Sequence, residues 1–192
     1  MTRLAVFASG EGTNAENLIR HFQNHPMARV VMVVSDKAEA PVIEKAKRLH
    51  VPVHVLSADE VLSGKKMNDV LKQSDIHLIV LAGYLRKIPG EVIEQYPQKI
   101  INLHPALLPF FGGKGMYGKK VHEAVIRSGV KESGITIHFV NEHYDDGEII
   151  FQKSIPVEAD ETSESLQKKI RELEWKYYPE VIDKLLKGVP ES

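Results

Sequence analysis

The sequence predicts an α/β fold, a doubly wound and mostly parallel sheet with an antiparallel extension toward the C-terminus. Between residues 4 and 82, short apolar runs rich in β-branched residues alternate with segments of helical period. The apolar runs are continuous, which is typical of parallel strands covered by helices on both faces. Beyond residue 130, two strand-like runs follow one another without a helical segment between them, which predicts the antiparallel extension.

The composition predicts a single domain over residues 1–192. Hydrophobic residues make up 43% and charged residues 27% of the chain, and the formal net charge is -1. We therefore expect small-molecule partners, with no nucleic acid and no membrane bound. The absence of cysteine excludes disulfides and thiolate chemistry. The first apolar run, Leu4–Ala8, is far shorter than the ~18 residues of a membrane span and lacks a signal-peptide pattern. These features favour a cytoplasmic protein, and none specifies an oligomeric state.

The first half shows a repeated strand and helix pattern. The predicted strands are Leu4–Ala8, Val30–Val34, Val53–Leu56 and Leu78–Ala82. The predicted helices run from Thr13 to His25-Pro26, from Pro41 to Leu49 and from Ala58 to Leu71. Thr13 followed by Glu16 has the spacing of a capping box, which predicts that the first helix begins there.

The second half is less regular. The predicted strands are Ile100–Leu103, Gly134–Val140 and Glu148–Val157, with a tight Asp145-Asp146-Gly147 turn before the last one. A final helix is predicted from about Thr162, with a kink at Pro179 and an end at Gly188 and Pro190. The irregular stretch from Pro105 to Tyr117 is either a mobile flap over a site or plain surface.

Two glycine-rich segments are candidates for phosphate binding. Ser9–Asn14 lies between the first strand and the first helix, where free N–H groups and the positive helix end favour an anion. Ala15 stands where a dinucleotide motif ends in glycine, so a grip on a single phosphate is favoured, with a plain turn as the alternative. Gly112–Lys120 resembles a P-loop, but Lys120 replaces the Ser or Thr that binds magnesium, which argues against a nucleoside triphosphatase.

The polar residues with the clearest chemistry are Asn102 and His104. They are two residues apart on a strand, so their side chains point the same way. An amide donor beside an imidazole suits addition of an amine to a carbonyl carbon, although such a pair also serves as ordinary turn structure. A carboxylate at Asp145 near His104 would orient the imidazole and raise its pKa. His138 and His143 form no ligand cluster with the neighbouring aspartates, so no metal is expected.

Four ordered motifs carry a family resemblance over nearly the whole chain. They are Ser9–Asn14, Leu81–Arg86, Asn102–Pro105 with Leu107–Pro109, and His138–Val140 leading to Asp145 and Gly147. Together they resemble the formyltransferases that use formyl-tetrahydrofolate. The resemblance implies a Rossmann-like fold and transfer of a formyl group from 10-formyltetrahydrofolate to the amine of glycinamide ribonucleotide in purine synthesis.

The resemblance also implies roles for individual residues. Residues 1–100 form the half that binds the nucleotide phosphate, and residues 101–192 form the catalytic and folate-binding half. The residues expected to bind the ribonucleotide are Gly12, Thr13, Asn14 and Glu174. The residues expected to bind the folate are Leu85, Arg86, Lys87, Ile88, Asn102, Val140, Asn141 and Asp145. In the implied mechanism Asn102 and protonated His104 stabilise an oxyanion, and Asp145 supports His104 and assists proton transfer through water.

Two alternatives stay open. A formyl-tetrahydrofolate hydrolase or a methionyl-tRNA formyltransferase would share the three catalytic residues, but the first normally carries an extra N-terminal domain and the second a basic C-terminal one, and we expect neither here. A phosphate or nucleotide sensor on a doubly wound fold would use the first loop and leave Asn102, His104 and Asp145 without a purpose.

Overall fold

The computed structural model describes residues 1–188. The strands are β1 (Thr2–Phe7), β2 (Ala28–Ser35), β3 (Val53–Val55), β4 (Leu78–Leu81), β5 (Ile100–His104), β6 (Glu132–Phe139) and β7 (Ile149–Pro156). The helices are α1 (Thr13–Phe22), α2 (Pro41–Arg48), α3 (Ala58–Leu62), α4 (Gly64–Gln73), α5 (Gly90–Gln95), α6 (Lys119–Ser128) and α7 (Ser163–Leu186). No helix in this range has the length and apolar character needed to cross a membrane.

The seven strands form one sheet in the order β3-β2-β1-β4-β5-β6-β7. β1 pairs in parallel with β2 and β4, β2 pairs in parallel with β3, and β6 pairs antiparallel with β7. The predicted α/β class, the mostly parallel sheet and the antiparallel extension are therefore confirmed. The chain divides into two compact units, Met1–Ile101 and a second that begins at Asn102.

In the first unit β1 is the central strand. Its apolar residues Leu4 to Phe7 are fully buried, as the continuous apolar run predicts, and the apolar stripe of α1 is buried as well. Because β2 and β4 lie on opposite sides of β1, the strand order reverses there. The loop after β1, Ala8 to Gly12, thus lies at a topological switch point, where open α/β sheets bind their ligands.

Two details of the first unit differ from the prediction. The prediction of a capping box formed by Thr13 and Glu16 is wrong. Gly12, in a left-handed conformation, is the N-cap of α1, and no side chain caps this helix. Glu16 instead accepts a hydrogen bond from Arg20 at 2.8 Å. The helix predicted from Ala58 to Leu71 is two helices, because Ser63 adopts an extended backbone and its hydroxyl caps α4.

In the second unit the two long strands agree with the prediction, but their connection does not. The loop between β6 and β7 covers residues 140 to 148 and is longer than a tight turn. A capping box between Thr162 and Ser165 begins α7, which continues through Pro179. The helix ends at Leu186, close to the predicted stop at Gly188, whereas Pro190 lies outside the described residues. Helices α5 and α6 were not predicted.

Candidate active site

Asn102, His104 and Asp145 lie together in the second unit. Asn102 and His104 occupy the same face of β5, near its carboxyl end. The Asn102 amide Nδ2 donates to Asp145 Oδ1 at 3.4 Å, and His104 Nδ1 lies 3.5 Å from Asp145 Oδ2. Side-chain exposure is 3% for His104 and 12% for Asp145. The expected proximity of these three groups is observed, and an amide, an imidazole and a carboxylate share one poorly solvated site.

The loop between β6 and β7 brings Asp145 into this position. Asp145 has a φ of 53°, a left-handed backbone that aspartate tolerates better than most residues. Gly147 allows the loop to return tightly against β6, because a Cβ there would lie 1.7 Å from the carbonyl oxygen of Phe139. The Asp145 carboxylate is fixed further by the Gly113 N–H, which donates to Oδ2 at 2.9 Å.

His138 is a fourth member of the cluster that sequence reasoning did not include. Its ring is 2% exposed, and Nδ1 lies 2.8 Å from the carbonyl oxygen of Phe139. Only a protonated Nδ1 can donate to that oxygen, so in the neutral ring Nε2 is an acceptor. Asn102 Nδ2 lies 3.1 Å from Nε2 and donates to it, which turns the amide NH₂ group toward His138 and Asp145. The sequence does contain a signal that could have identified His138: Thr136 and His138 are polar residues two apart in the otherwise apolar C-terminal part of β6, so both lie on one face of it.

Opposing effects set the pKa values of Asp145 and His104. Burial opposes the ionisation of Asp145, but His138, the charge of His104 and the Gly113 N–H together keep the pKa of Asp145 below its ordinary value. Burial lowers the pKa of His104 and outweighs the opposite effects of Asp145 and the Phe111 carbonyl. Asp145 raises the pKa of His104, as expected, but the effect of burial is larger.

The irregular segment after β5 contacts the cluster directly. The carbonyl oxygen of Phe111 accepts a hydrogen bond from His104 Nε2 at 2.8 Å, and Phe111 has a left-handed φ of 56°. Nearer to β5 the segment is anchored by Thr136, whose hydroxyl donates to the carbonyl of Ala106 at 2.7 Å and accepts from the Leu108 N–H at 3.0 Å. The segment is therefore fixed at its base and covers a ring nitrogen of His104.

The proposed phosphate residues Gly12, Thr13 and Asn14 lie at the start of α1 in the first unit. Gly12 is buried with a φ of 67°, and Thr13 is half-buried. The other residue expected to bind the ribonucleotide, Glu174, lies half-buried on α7 in the second unit. The pKa of its neighbour Tyr178 is raised by burial and by the negative charge of Glu174.

The residues expected to bind folate come from both units. Leu85–Ile88 follows β4. The Leu85 N–H donates to Ser9 Oγ at 2.9 Å, and Arg86 Nε donates to Asp36 Oδ2 at 2.9 Å. Lys87 is exposed, whereas Ile88 is buried. Val140 and Asn141 begin the loop that carries Asp145. The Asn141 side-chain oxygen accepts from the His143 N–H at 2.8 Å, which shapes the start of this loop.

A profile of the family described as "Formyl transferase" matches residues 2–182. The chain belongs to the formyl transferase family. This formyl transferase is 38% identical to phosphoribosylglycinamide formyltransferase of Bacillus subtilis over 191 residues, which cover 97% of the chain and 95% of the relative. The resemblance to formyl-tetrahydrofolate-dependent formyltransferases is thereby confirmed at the level of the family.

Other relatives of the formyl transferase include plant and structurally characterised proteins. It is 42% identical to the chloroplastic phosphoribosylglycinamide formyltransferase of Arabidopsis thaliana over 186 residues, which cover 94% of this chain. The chain spans 64% of that relative's length and 60% of a similar one from Vigna unguiculata. The crystal structure of glycinamide ribonucleotide transformylase 1 from Geobacillus kaustophilus has a TM-score of 0.87 at 39% identity, with 97% of this chain and 99% of that chain covered.

Proposed function

We propose that this formyl transferase moves the formyl group of 10-formyltetrahydrofolate onto the amine of glycinamide ribonucleotide, giving formylglycinamide ribonucleotide and tetrahydrofolate in purine biosynthesis. The observation that carries the proposal is the cluster of Asn102, His104 and Asp145, an amide and an imidazole beside a carboxylate in a buried site. Relatives named phosphoribosylglycinamide formyltransferase support the choice of acceptor.

The proposed reaction is addition followed by elimination. The acceptor amine forms a bond to the formyl carbon, whose oxygen becomes an oxyanion, and the bond from that carbon to N10 of the folate then breaks. In this step Asn102 Nδ2 gives up its long 3.4 Å hydrogen bond to Asp145, and His104 Nε2 gives up its hydrogen bond to the Phe111 carbonyl. Both then donate to the oxyanion, which stabilises the charge as it develops. Asp145 helps to take up the proton lost by the amine, through water, and a proton reaches N10 as tetrahydrofolate leaves.

The proposed binding residues divide between the two halves of a single domain, residues 1–100 and 101–192. The residues Gly12, Thr13 and Asn14 at the start of α1 would bind the phosphate, because the positive end of the helix favours an anion. Glu174 would contact the nucleotide. The folate would bind against Leu85–Ile88, Val140 and Asn141 in addition to the catalytic residues.

The test is release of tetrahydrofolate by the purified protein from 10-formyltetrahydrofolate, with and without glycinamide ribonucleotide. The proposal predicts turnover that requires the ribonucleotide and yields its formylated product. Asp145→Asn should lower kcat by about 100-fold or more, whereas Asp146→Asn, a change at the exposed neighbour, should leave kcat unchanged. Release without the ribonucleotide would identify a hydrolase, and no release from folded protein would favour another acceptor or a sensor.

The predictions of no metal and of a cytoplasmic location are tested alongside. Turnover that persists after dialysis against EDTA is the expected result, since the proposed chemistry uses only side chains. Cell fractionation tests the location, and it is needed because the name of the Arabidopsis thaliana relative places that protein in the chloroplast.

A further inference from the structure

The loop proposed to bind phosphate is held from one side by helix α2. The Val42 N–H donates to the carbonyl oxygen of Gly10 at 3.1 Å, and Lys45 Nζ donates to the carbonyl oxygen of Glu11 at 2.7 Å. Pro41 is the first residue of α2, so the Val42 N–H belongs to the first turn and has no acceptor within the helix. Two consecutive carbonyl groups of the loop are thus fixed by one helix.

Fixing these carbonyls also fixes the direction of the N–H groups that follow them. Both peptides are trans, so the N–H of Glu11 points away from the Gly10 carbonyl, and the N–H of Gly12 points away from the Glu11 carbonyl. Neither N–H donates to a protein group within residues 1–188. Because α2 binds the carbonyls, these two N–H groups are presented on the opposite side of the loop, as an anion site requires.

The contact between the loop and α2 is too close for any other residue at position 12. A Cβ on Gly12 would lie 2.3 Å from Val42 Cγ2 and 2.9 Å from Val42 Cα. The loop therefore packs directly on the first turn of α2, and a change in that turn is transmitted to the peptides of the loop.

The surroundings of Lys45 indicate that it acts through the Glu11 peptide. Its side chain is 19% exposed, and its ammonium lies 4.0 Å from Glu16 Oε2 as well as 2.7 Å from the Glu11 carbonyl. Glu16 is shared with Arg20 at 2.8 Å. The charge of Lys45 is therefore already partly balanced, and its clearest contribution is the hydrogen bond that orients the peptide.

We propose that Lys45 is a positioning residue for the phosphate of the acceptor: it holds the Glu11 peptide so that the Gly12 N–H faces the anion. The inference rests on the proposed function of the loop. It predicts an effect on binding of the phosphorylated substrate and none on the folate or on the chemical step.

The test compares Lys45→Met with Lys47→Met, in which an exposed lysine of the same helix, which pairs with Glu44, is changed in the same way. Lys45→Met should raise KM for glycinamide ribonucleotide about five- to tenfold, the loss expected for one hydrogen bond. It should leave kcat and the KM for 10-formyltetrahydrofolate within twofold of the unmodified protein. Lys45→Gln, which retains a donor without the charge, should recover part of the loss, and Lys47→Met should show none.

Inorganic phosphate titrated into the same proteins in a calorimeter gives a readout that does not need turnover. Weaker phosphate binding by Lys45→Met than by Lys47→Met supports the inference. This holds even if the unmodified protein fails to formylate glycinamide ribonucleotide, because that failure would count against the proposed function alone. Equal phosphate binding by the two variants would overturn the inference. So would parallel losses in kcat and in both KM values, since they would indicate general disruption of the fold.

Discussion

Acidification should destabilise this protein through His122, a buried residue on α6 that is close enough to His104 to be affected by its charge. His122 is 3% exposed, and its Nδ1 has no hydrogen-bond partner within the described residues. Burial, together with the positive charges of His104 and Arg171, lowers its pKa from 6.5 to about 4.

The sign and size of the effect follow from this pKa. Above pH 6.5 the ring is neutral in both the folded and the unfolded protein, so His122 gives the stability no pH dependence there. Below pH 6.5 the unfolded chain binds the proton first, so the free energy of unfolding falls by about 1.4 kcal/mol per pH unit until pH 4 is reached. The loss from His122 is about 2 kcal/mol at pH 5 and about 3 kcal/mol at pH 4.

Urea unfolding at pH 7.5 and pH 5.0 measures this loss. His122→Phe keeps a ring in the cavity and removes the proton site, so its stability should fall about 2 kcal/mol less than that of the unmodified protein over this interval. The lowered pKa of His104 also reduces the free energy of unfolding on acidification, and this loss is expected in both the His122→Phe variant and the unmodified protein. His143→Gln, at an exposed position, should behave like the unmodified protein. Equal losses for His122→Phe and the unmodified protein would refute the reasoning.

Two further predictions concern residues that shape the proposed sites. Gly12→Ala places an alanine with a left-handed backbone against Val42, so it should lower the free energy of unfolding by about 2 to 4 kcal/mol in urea titrations. Gly10→Ala is the control, because Gly10 has open space around it and the change should have little effect. Equal effects of the two changes would argue against the close contact with α2. His138→Phe removes the acceptor that orients Asn102 and should lower kcat about ten- to a hundredfold in the formyl-transfer assay, with little change in either KM. An unchanged kcat would show that His138 does not act through Asn102.

Much of the fold follows from local patterns, because burial on both faces leaves a continuous apolar run in the sequence. The run at β1 and the apolar stripe of α1 predicted both elements and placed the glycine loop between them. Strand periodicity was enough to put Asn102 and His104 on one face. The proximity of Asp145 was expected on chemical grounds and from the resemblance, since its backbone forms an irregular loop with no periodic signal.

The features that escaped prediction depend on contacts between distant segments. The start of α1 at Thr13 was predicted correctly, but its N-cap was not. A capping box and a left-handed glycine are both compatible with the local sequence, and only the packing of Gly12 on Val42 decides between them. The contact between Lys45 and the loop has the same origin, because Lys45 is one of three lysine or arginine residues in the last turn of α2 and its acceptor, the Glu11 carbonyl, is 34 residues away. His138 was considered only as a metal ligand, because its partner Asn102 lies on a different strand.

The protonation state of His104 depends on burial and hydrogen bonding that the sequence does not reveal, and on the charge that develops during the reaction. Both ring nitrogens face acceptors, the Asp145 carboxylate and the Phe111 carbonyl, an arrangement that favours the charged ring, yet burial dominates and lowers the pKa. In the proposed reaction the Phe111 carbonyl must leave Nε2, and the oxygen that replaces it acquires a full negative charge as the amine adds. A charged acceptor stabilises the imidazolium more than a neutral carbonyl does, so the balance shifts toward protonated His104 as the oxyanion forms. A low pKa in the unliganded protein is therefore compatible with a protonated His104 in the transition state.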